Sequence, residues 1–268
     1  MLDEVNEIVE RLLREEERKP ALASTLALHR ELIIARAQLK PPEIQTRLGK
    51  EGAKELLRRG VPLLQGEKLK MEGLLEFCQH ICQITARHRP DLADQLDEIR
   101  GFLLSPALNT TAEEYLQGKG RVEGNGSSEL LTFVLNNALH PFLKHYAQAV
   151  EGLVDESTWY RGYCPICGGE PDLAYLSPEN GARRLLCSRC DTEWDFWRLG
   201  CPFCENKERE SLGYYPSEDN LYRLYVCEEC CRYLKSIDLR GMSKKPPLPL
   251  ERILTLEMDL AARQMGYR

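Results

Sequence analysis

A chain of 268 residues with 43% apolar and 29% charged side chains has the composition of a soluble globular protein, with room for two ordinary domains. No apolar run approaches the roughly 20 residues that span a bilayer, and the acidic, amphipathic start from Met1 to Ile8 has neither the basic segment nor the apolar stretch of a signal peptide, so the expected location is the cytoplasm. The formal charge of −6 disfavours a nucleic-acid partner, and residues 159 to 240 alone carry 11 Lys and Arg against 14 Asp and Glu.

Residues 2 to about 150 read as successive helices. Val5, Ile8, Val9, Leu12 and Leu13 recur at the spacing of one helical face, as do Leu26, Leu28, Leu32, Ile33 and Ala37, and Pro41-Pro42 stops that run. Further helical stretches are expected at about 67 to 88, 91 to 103 and 111 to 117. A Gly-rich polar connection, 118 to 128, leads to a long helix from 129 to about 150, with Ser128 as its expected N-cap and Pro141 expected to kink or split it. Cys78 and Cys82, four apart on the side that carries Leu74, Leu75 and Ile81, read as core residues.

Beyond Gly152 helical periodicity gives way to Pro, Gly, Cys and aromatic residues. Four Cys-x-x-Cys pairs follow: Cys164/Cys167, Cys187/Cys190, Cys201/Cys204 and Cys227/Cys230. The 19 residues between the first two pairs and the 22 between the last two share one construction, apolar strand, turn and apolar strand. A hairpin returns its far pair beside its near pair, so the repeat encodes two four-thiolate sites, Cys164, Cys167, Cys187 and Cys190, then Cys201, Cys204, Cys227 and Cys230. An interleaved pairing, first with third and second with fourth, would leave the hairpins without a purpose. A third alternating strand follows each second pair, at 192 to 199 and 232 to 239, and the whole unit repeats after 37 residues.

The fold class expected is therefore α+β: a helical domain over 1–155, two tandem rubredoxin-like or zinc-ribbon β modules over 156–240 (about 159–199 and 200–240), and a linker with a C-terminal helix over 241–268. That helix has Pro249 in its first turn, Ile253, Leu256, Met258 and Leu260 on its apolar side and Gly266 at its stop. Four sulfurs suit either iron or zinc, and spacing does not choose. Trp194 and Trp197 project to opposite faces of one strand; Glu193, Trp194 and Arg198 form the expected partner-facing patch. Cys231 follows the last pair as a small residue or a spare thiol. No Ser/His/Asp set, phosphate loop or close carboxylate pair stands out, so no catalysis is expected. A nucleic-acid-binding zinc ribbon and a rubredoxin-like electron carrier are the alternatives.

The run from Tyr163 to Gly168, then Leu186-Cys-Ser-Arg-Cys-Asp-Thr-Glu-Trp194, Cys201 to Glu205, and Cys227-Glu-Glu-Cys230 with Arg232 to Asp238, resembles the FdhE formate dehydrogenase accessory proteins. The likeness extends through Leu254 to Tyr267; the helical half agrees in length and texture. The resemblance implies a non-enzymatic cytoplasmic maturation factor that contacts the catalytic, molybdenum- or tungsten-dependent subunit of respiratory formate dehydrogenase before export by the twin-arginine route. It also implies metal binding, with iron, at the eight paired cysteines. Cys231 stands where the family usually has Gly, and Asp195 where a His often follows the Trp.

Overall fold

The computed structural model describes residues 2–44, 46, 48–118 and 127–268. In chain order they form helices α1 (Leu2–Arg18), α2 (Ala23–Gln38), α3 (Lys50–Arg58), α4 (Leu74–His88), α5 (Ala93–Leu103), α6 (Ala107–Gln117) and α7 (Ser127–Val150). Strands β1 (Pro171–Leu176), β2 (Arg183–Cys187), β3 (Glu193–Phe196), β4 (Leu212–Pro216), β5 (Tyr222–Cys227) and β6 (Arg232–Asp238) follow, then helices α8 (Leu248–Leu254) and α9 (Leu256–Gln264). The sequence texture changes near residue 155. The fold divides the chain at 149/150 and also assigns residues 46–67 to the second unit.

The first unit, residues 1–45 and 68–149, is a stack of helices. Ile8 and Leu12 of α1 are buried, as are Leu26, Leu28, Leu32 and Ile33 of α2, whereas Leu13 faces solvent. Arg30 binds Glu16 through two hydrogen bonds of 2.7 and 3.2 Å, tying α2 to α1, and Glu31 takes Arg87 at 2.5 Å and His88 at 2.9 Å, tying α2 to α4. Cys78 and Cys82 are fully buried, and burial first of all pushes their thiols up to about 12 and about 11. They are core residues. Helix α7 begins at Ser127, which puts Ser128 inside it, and it runs unbroken across Pro141. The missing proline N–H costs on the order of 3 kcal/mol, but Leu135, Ala138, Leu139, Phe142, Leu143 and Tyr146 are all buried around it, and that packing holds the helix together. Most of the expected Gly-rich connection, 119–126, lies outside the described residues.

The second unit is built on one six-stranded sheet, ordered β3-β2-β1-β6-β5-β4. Each repeat is an antiparallel meander. They join where β1 and β6 pair in parallel, Leu173 opposite Lys235 through Leu176 opposite Asp238. Leu173, Tyr175, Leu186 and Ile237 cluster with Leu248 of α8, and Leu224 and Val226 with Ala262 of α9. The expected single C-terminal helix bends at Thr255, whose hydroxyl bonds back to the Glu251 carbonyl at 2.7 Å. Leu260 consequently points to solvent while Ile253 stays buried. Residues ahead of the repeats also join: Leu63 and Leu64 N–H groups donate to the Pro165 and Ile166 carbonyls at 2.9 and 2.8 Å.

Every cysteine turn has the same backbone. In the first three, the N–H of the leading cysteine donates to the carbonyl five residues on: Cys164 to Gly169, Cys187 to Thr192 and Cys201 to Asn206. In all four, the residue after the second cysteine has positive φ: Gly168 (73°), Asp191 (58°), Glu205 (61°) and Cys231 (52°). That conformation crowds a Cβ against the neighbouring carbonyl and costs an L-residue about 1–2 kcal/mol, which glycine escapes.

Two predictions follow from these contacts. Exposed Cys231 and Glu205 sit in a left-handed conformation without glycine, so Cys231→Gly and Glu205→Gly should each stabilise the second unit in urea unfolding, by about 1 kcal/mol after glycine's own entropy is discounted. Arg252 of α8 reaches Asp172 at 2.6 Å, Asp191 at 3.0 Å and the Cys187 carbonyl at 2.9 Å, clamping the second turn. Removing one member of such a buried set strands the others, and Arg252→Ala should cost about 3 kcal/mol in the same assay.

Candidate metal centres

The eight paired sulfurs gather into two groups, Cys164, Cys167, Cys187 and Cys190, and Cys201, Cys204, Cys227 and Cys230, with all sulfurs of a group within 4.8 Å of one another. The pairing is first turn with second and third with fourth; the interleaved alternative does not form, and no cysteine is in a disulfide. Strand pairing is the reason. Cys187 ends β2 opposite Pro171 at the start of β1, four residues beyond Cys167, and Cys227 ends β5 opposite Leu212 of β4.

Within the groups the close sulfur pairs are Cys164–Cys190 at 3.6 Å, Cys167–Cys187 at 3.4 Å, Cys201–Cys230 at 3.6 Å and Cys204–Cys227 at 3.7 Å. A tetrahedral ion with thiolates at ~2.3 Å has sulfur–sulfur edges of about 3.8 Å. Both groups therefore fit a single four-coordinate metal ion, as donor set and as cage.

Hydrogen-bond donors point at the sulfurs. In the first group the Cys167 N–H points at Cys164 Sγ (3.5 Å), that of Gly169 at Cys167 Sγ (3.4 Å), that of Arg189 at Cys187 Sγ (3.4 Å), and Thr192 Oγ1 lies 3.0 Å from Cys190 Sγ. Burial dominates at each thiol and opposes ionisation, holding Cys164, Cys187 and Cys190 well above the usual thiol range. At Cys167 the three neighbouring thiols and the charge of Arg189 outweigh burial and hold the group well below it. In the second group burial lifts Cys201 to about 11 and raises Cys230 further, whereas at Cys227 the Cys230 N–H, the Asn206 amide and Cys204 override burial and bring the thiol down to about 7.

The groups differ in exposure. All four sulfur-bearing residues of the first are buried; in the second, Cys204 is exposed and Cys230 half-buried. Beside the first turn, Trp159 is fully buried with its indole N–H on the Tyr163 carbonyl (2.8 Å), and the segment bearing Leu63 and Leu64 bonds to the turn's own carbonyls. Gly162 sets the spacing between repeats, since a Cβ there would meet the Pro202 carbonyl oxygen at 1.7 Å.

The expected partner-facing patch is corrected in part. Trp194 is fully buried and donates its indole N–H to the Arg161 carbonyl at 2.8 Å, because an inward position of β3 must be filled by a large side chain. Glu193 binds Lys245 at 2.5 Å, Arg198 donates to the Gly181 carbonyl at 2.6 Å, and Asp195 faces Arg184 at 3.7 Å. The exposed aromatic is Trp197, stacked on Tyr160 with ring centroids 4.8 Å apart and Lys207 Nζ 5.1 Å from its ring. Sequence reading missed three residues that serve the cages. Arg189, the charge beside Cys167, was visible inside the second Cys-x-x-Cys; Asn206 and Thr192 each follow a pair by two positions and carried no other signal.

Residues 163–198 match the family model "FdhE, central domain". The FdhE homolog of Aquifex aeolicus (strain VF5) is 27% identical over 230 residues, 84% of this chain and 78% of that protein. The homolog of Shewanella sp. (strain MR-4) is 25% identical over 66% of this chain and 60% of its own length. FdhE of Escherichia coli O127:H6 is 28% identical over 109 residues, 40% of this chain and 35% of that protein. The crystal structure of FdhE from Pseudomonas aeruginosa superposes with a TM-score of 0.58 at 23% identity, covering 100% of this chain and 93% of that one, so the fold is shared. The chain is thus similar to FdhE proteins in sequence over most of its length and shares their fold, and its first cysteine repeat matches their central domain.

Proposed function

We propose that this protein is a cytoplasmic accessory factor for respiratory formate dehydrogenase that engages the catalytic subunit before export, and that its eight paired cysteines hold two metal ions, iron or zinc. The observation that carries this reading is the pair of four-sulfur cages on a chain similar to FdhE proteins over most of its length. It is a binding role: the sheet and its turns offer a rigid surface. Cys164, Cys167, Cys187 and Cys190 would hold an ion that braces the fold, and Cys201, Cys204, Cys227 and Cys230 one that remains open to reagents and redox partners. Such an ion supplies cross-linking of turns too thin to hold themselves, and, if iron, a one-electron couple. The electron-transfer alternative draws its support from the exposure of Cys204.

Two measurements check this reading. Tagged protein from anaerobically grown cells should retrieve the formate dehydrogenase catalytic subunit; a preparation with both ions in place that recovers none would refute the role. Metal analysis should give two ions per chain, red with thiolate-to-iron absorption for iron and colourless for zinc. A chelator should strip one ion at least ten-fold faster than the other. Cys204→Ser should abolish the fast phase, and Cys167→Ser should cost several times more folding stability than Cys204→Ser.

A further inference from the structure

A cleft of about 470 Å³ opens on the face of β4, β5 and β6 beside the second cysteine group, within the range of about 300–1,000 Å³ typical of small-molecule sites. Its walls are apolar and aromatic, among them Tyr214, Val226 and Leu234, and its charges are all positive: Arg183, Arg198, Arg209 and Arg232. Among the described residues no aspartate or glutamate lines it.

The arginines are not equally committed. Arg232 is held by Glu170 through two bonds of 2.8 Å, and Arg198 spends one bond of 2.6 Å on the Gly181 carbonyl. Arg183 is 3% exposed, gives one N–H to the Gly200 carbonyl at 2.9 Å, lies over the rings of Tyr225 and Phe196, and leaves its Nε without a hydrogen-bond partner. No carboxylate pairs with it among the described residues. Arg209 is exposed at the rim of the cleft. A buried guanidinium without a carboxylate is costly, and three guanidinium groups in the lining of one apolar cleft suit the oxygens of a phosphate.

We propose that this cleft binds an organic phosphate, a planar apolar body carrying a phosphate group. Arg183, Arg198 and Arg209 take the phosphate, and the body lies along Tyr214, Tyr225 and Leu234, which share one face of the sheet. The site does not depend on the formate dehydrogenase reading. Its competitor is purely internal: Cys201 also attracts Arg183, which could serve only as counter-charge to the second cage.

Calorimetric titration of the metal-loaded full chain with AMP and GMP, and in parallel with adenosine and inorganic phosphate, tests the proposal. The expected result is one-to-one binding of a nucleotide that weakens as salt rises and is at least ten-fold tighter than adenosine or phosphate alone. Arg209→Ala and Arg183→Gln should each weaken it at least ten-fold. Should Arg183→Gln lose metal or fail to fold, Arg209→Ala and Arg198→Ala decide. No binding of either nucleotide, binding no tighter than that of phosphate, or a nucleotide affinity unchanged in Arg209→Ala and Arg198→Ala each overturns it. Loss of metal in Arg183→Gln with no nucleotide binding in the parent assigns Arg183 to the cage alone.

Discussion

In a β-hairpin the two strands end side by side, and here both hairpins end in cysteine turns, so closing the hairpin and gathering four sulfurs are one event. Around each cage the backbone N–H groups that a tight turn leaves unpaired point at sulfur, which stabilises thiolate and satisfies donors that burial would otherwise strand. The rest of the second unit depends on this closure. Strands of four to seven residues make a thin sheet, and without the crossed turns little apolar area would hold its ends.

The two repeats share this construction but not its environment. The turns of the first are bonded by the segment around Leu63 and Leu64 and by Arg252 of α8, and its four cysteines are buried. The second lies at the other end of the sheet, where β4 is an exposed edge with Tyr214 and Tyr215 half in solvent. The duplicated unit thus presents one buried and one partly exposed group of four sulfurs. The arginine-lined cleft lies beside the more exposed group.

The parallel pairing of β1 with β6 makes one body of the repeats. It brings first strand against last, and the face it creates is covered by α8 and α9 through Leu248 and Ala262. The ion pairs of Arg252 and Lys235 then lie between helices and sheet, partly shielded from water, where opposite charges attract more strongly than at the surface. The C-terminal helices are therefore part of the metal-bearing unit.

Much of the cage was legible in the chain because its information is local: two cysteines three apart, a turn midway, and a second pair at hairpin distance set which sulfurs meet. Helical periodicity likewise located α1, α2 and α4, and the i, i+4 cysteines of α4 read correctly as core. What periodicity could not weigh was long-range packing. It expected Pro141 to kink or split α7, and the helix is not split, because burial on both sides outweighs one lost hydrogen bond. It put Trp194 at a surface, because alternation says that two positions face opposite ways but not which face is covered. The joining of the repeats through β1 and β6, the entry of residues 46–67 into the second unit, and the burial of an unpaired Arg183 were decided only by tertiary structure, since each depends on contacts between segments tens of residues apart that leave no period in the sequence.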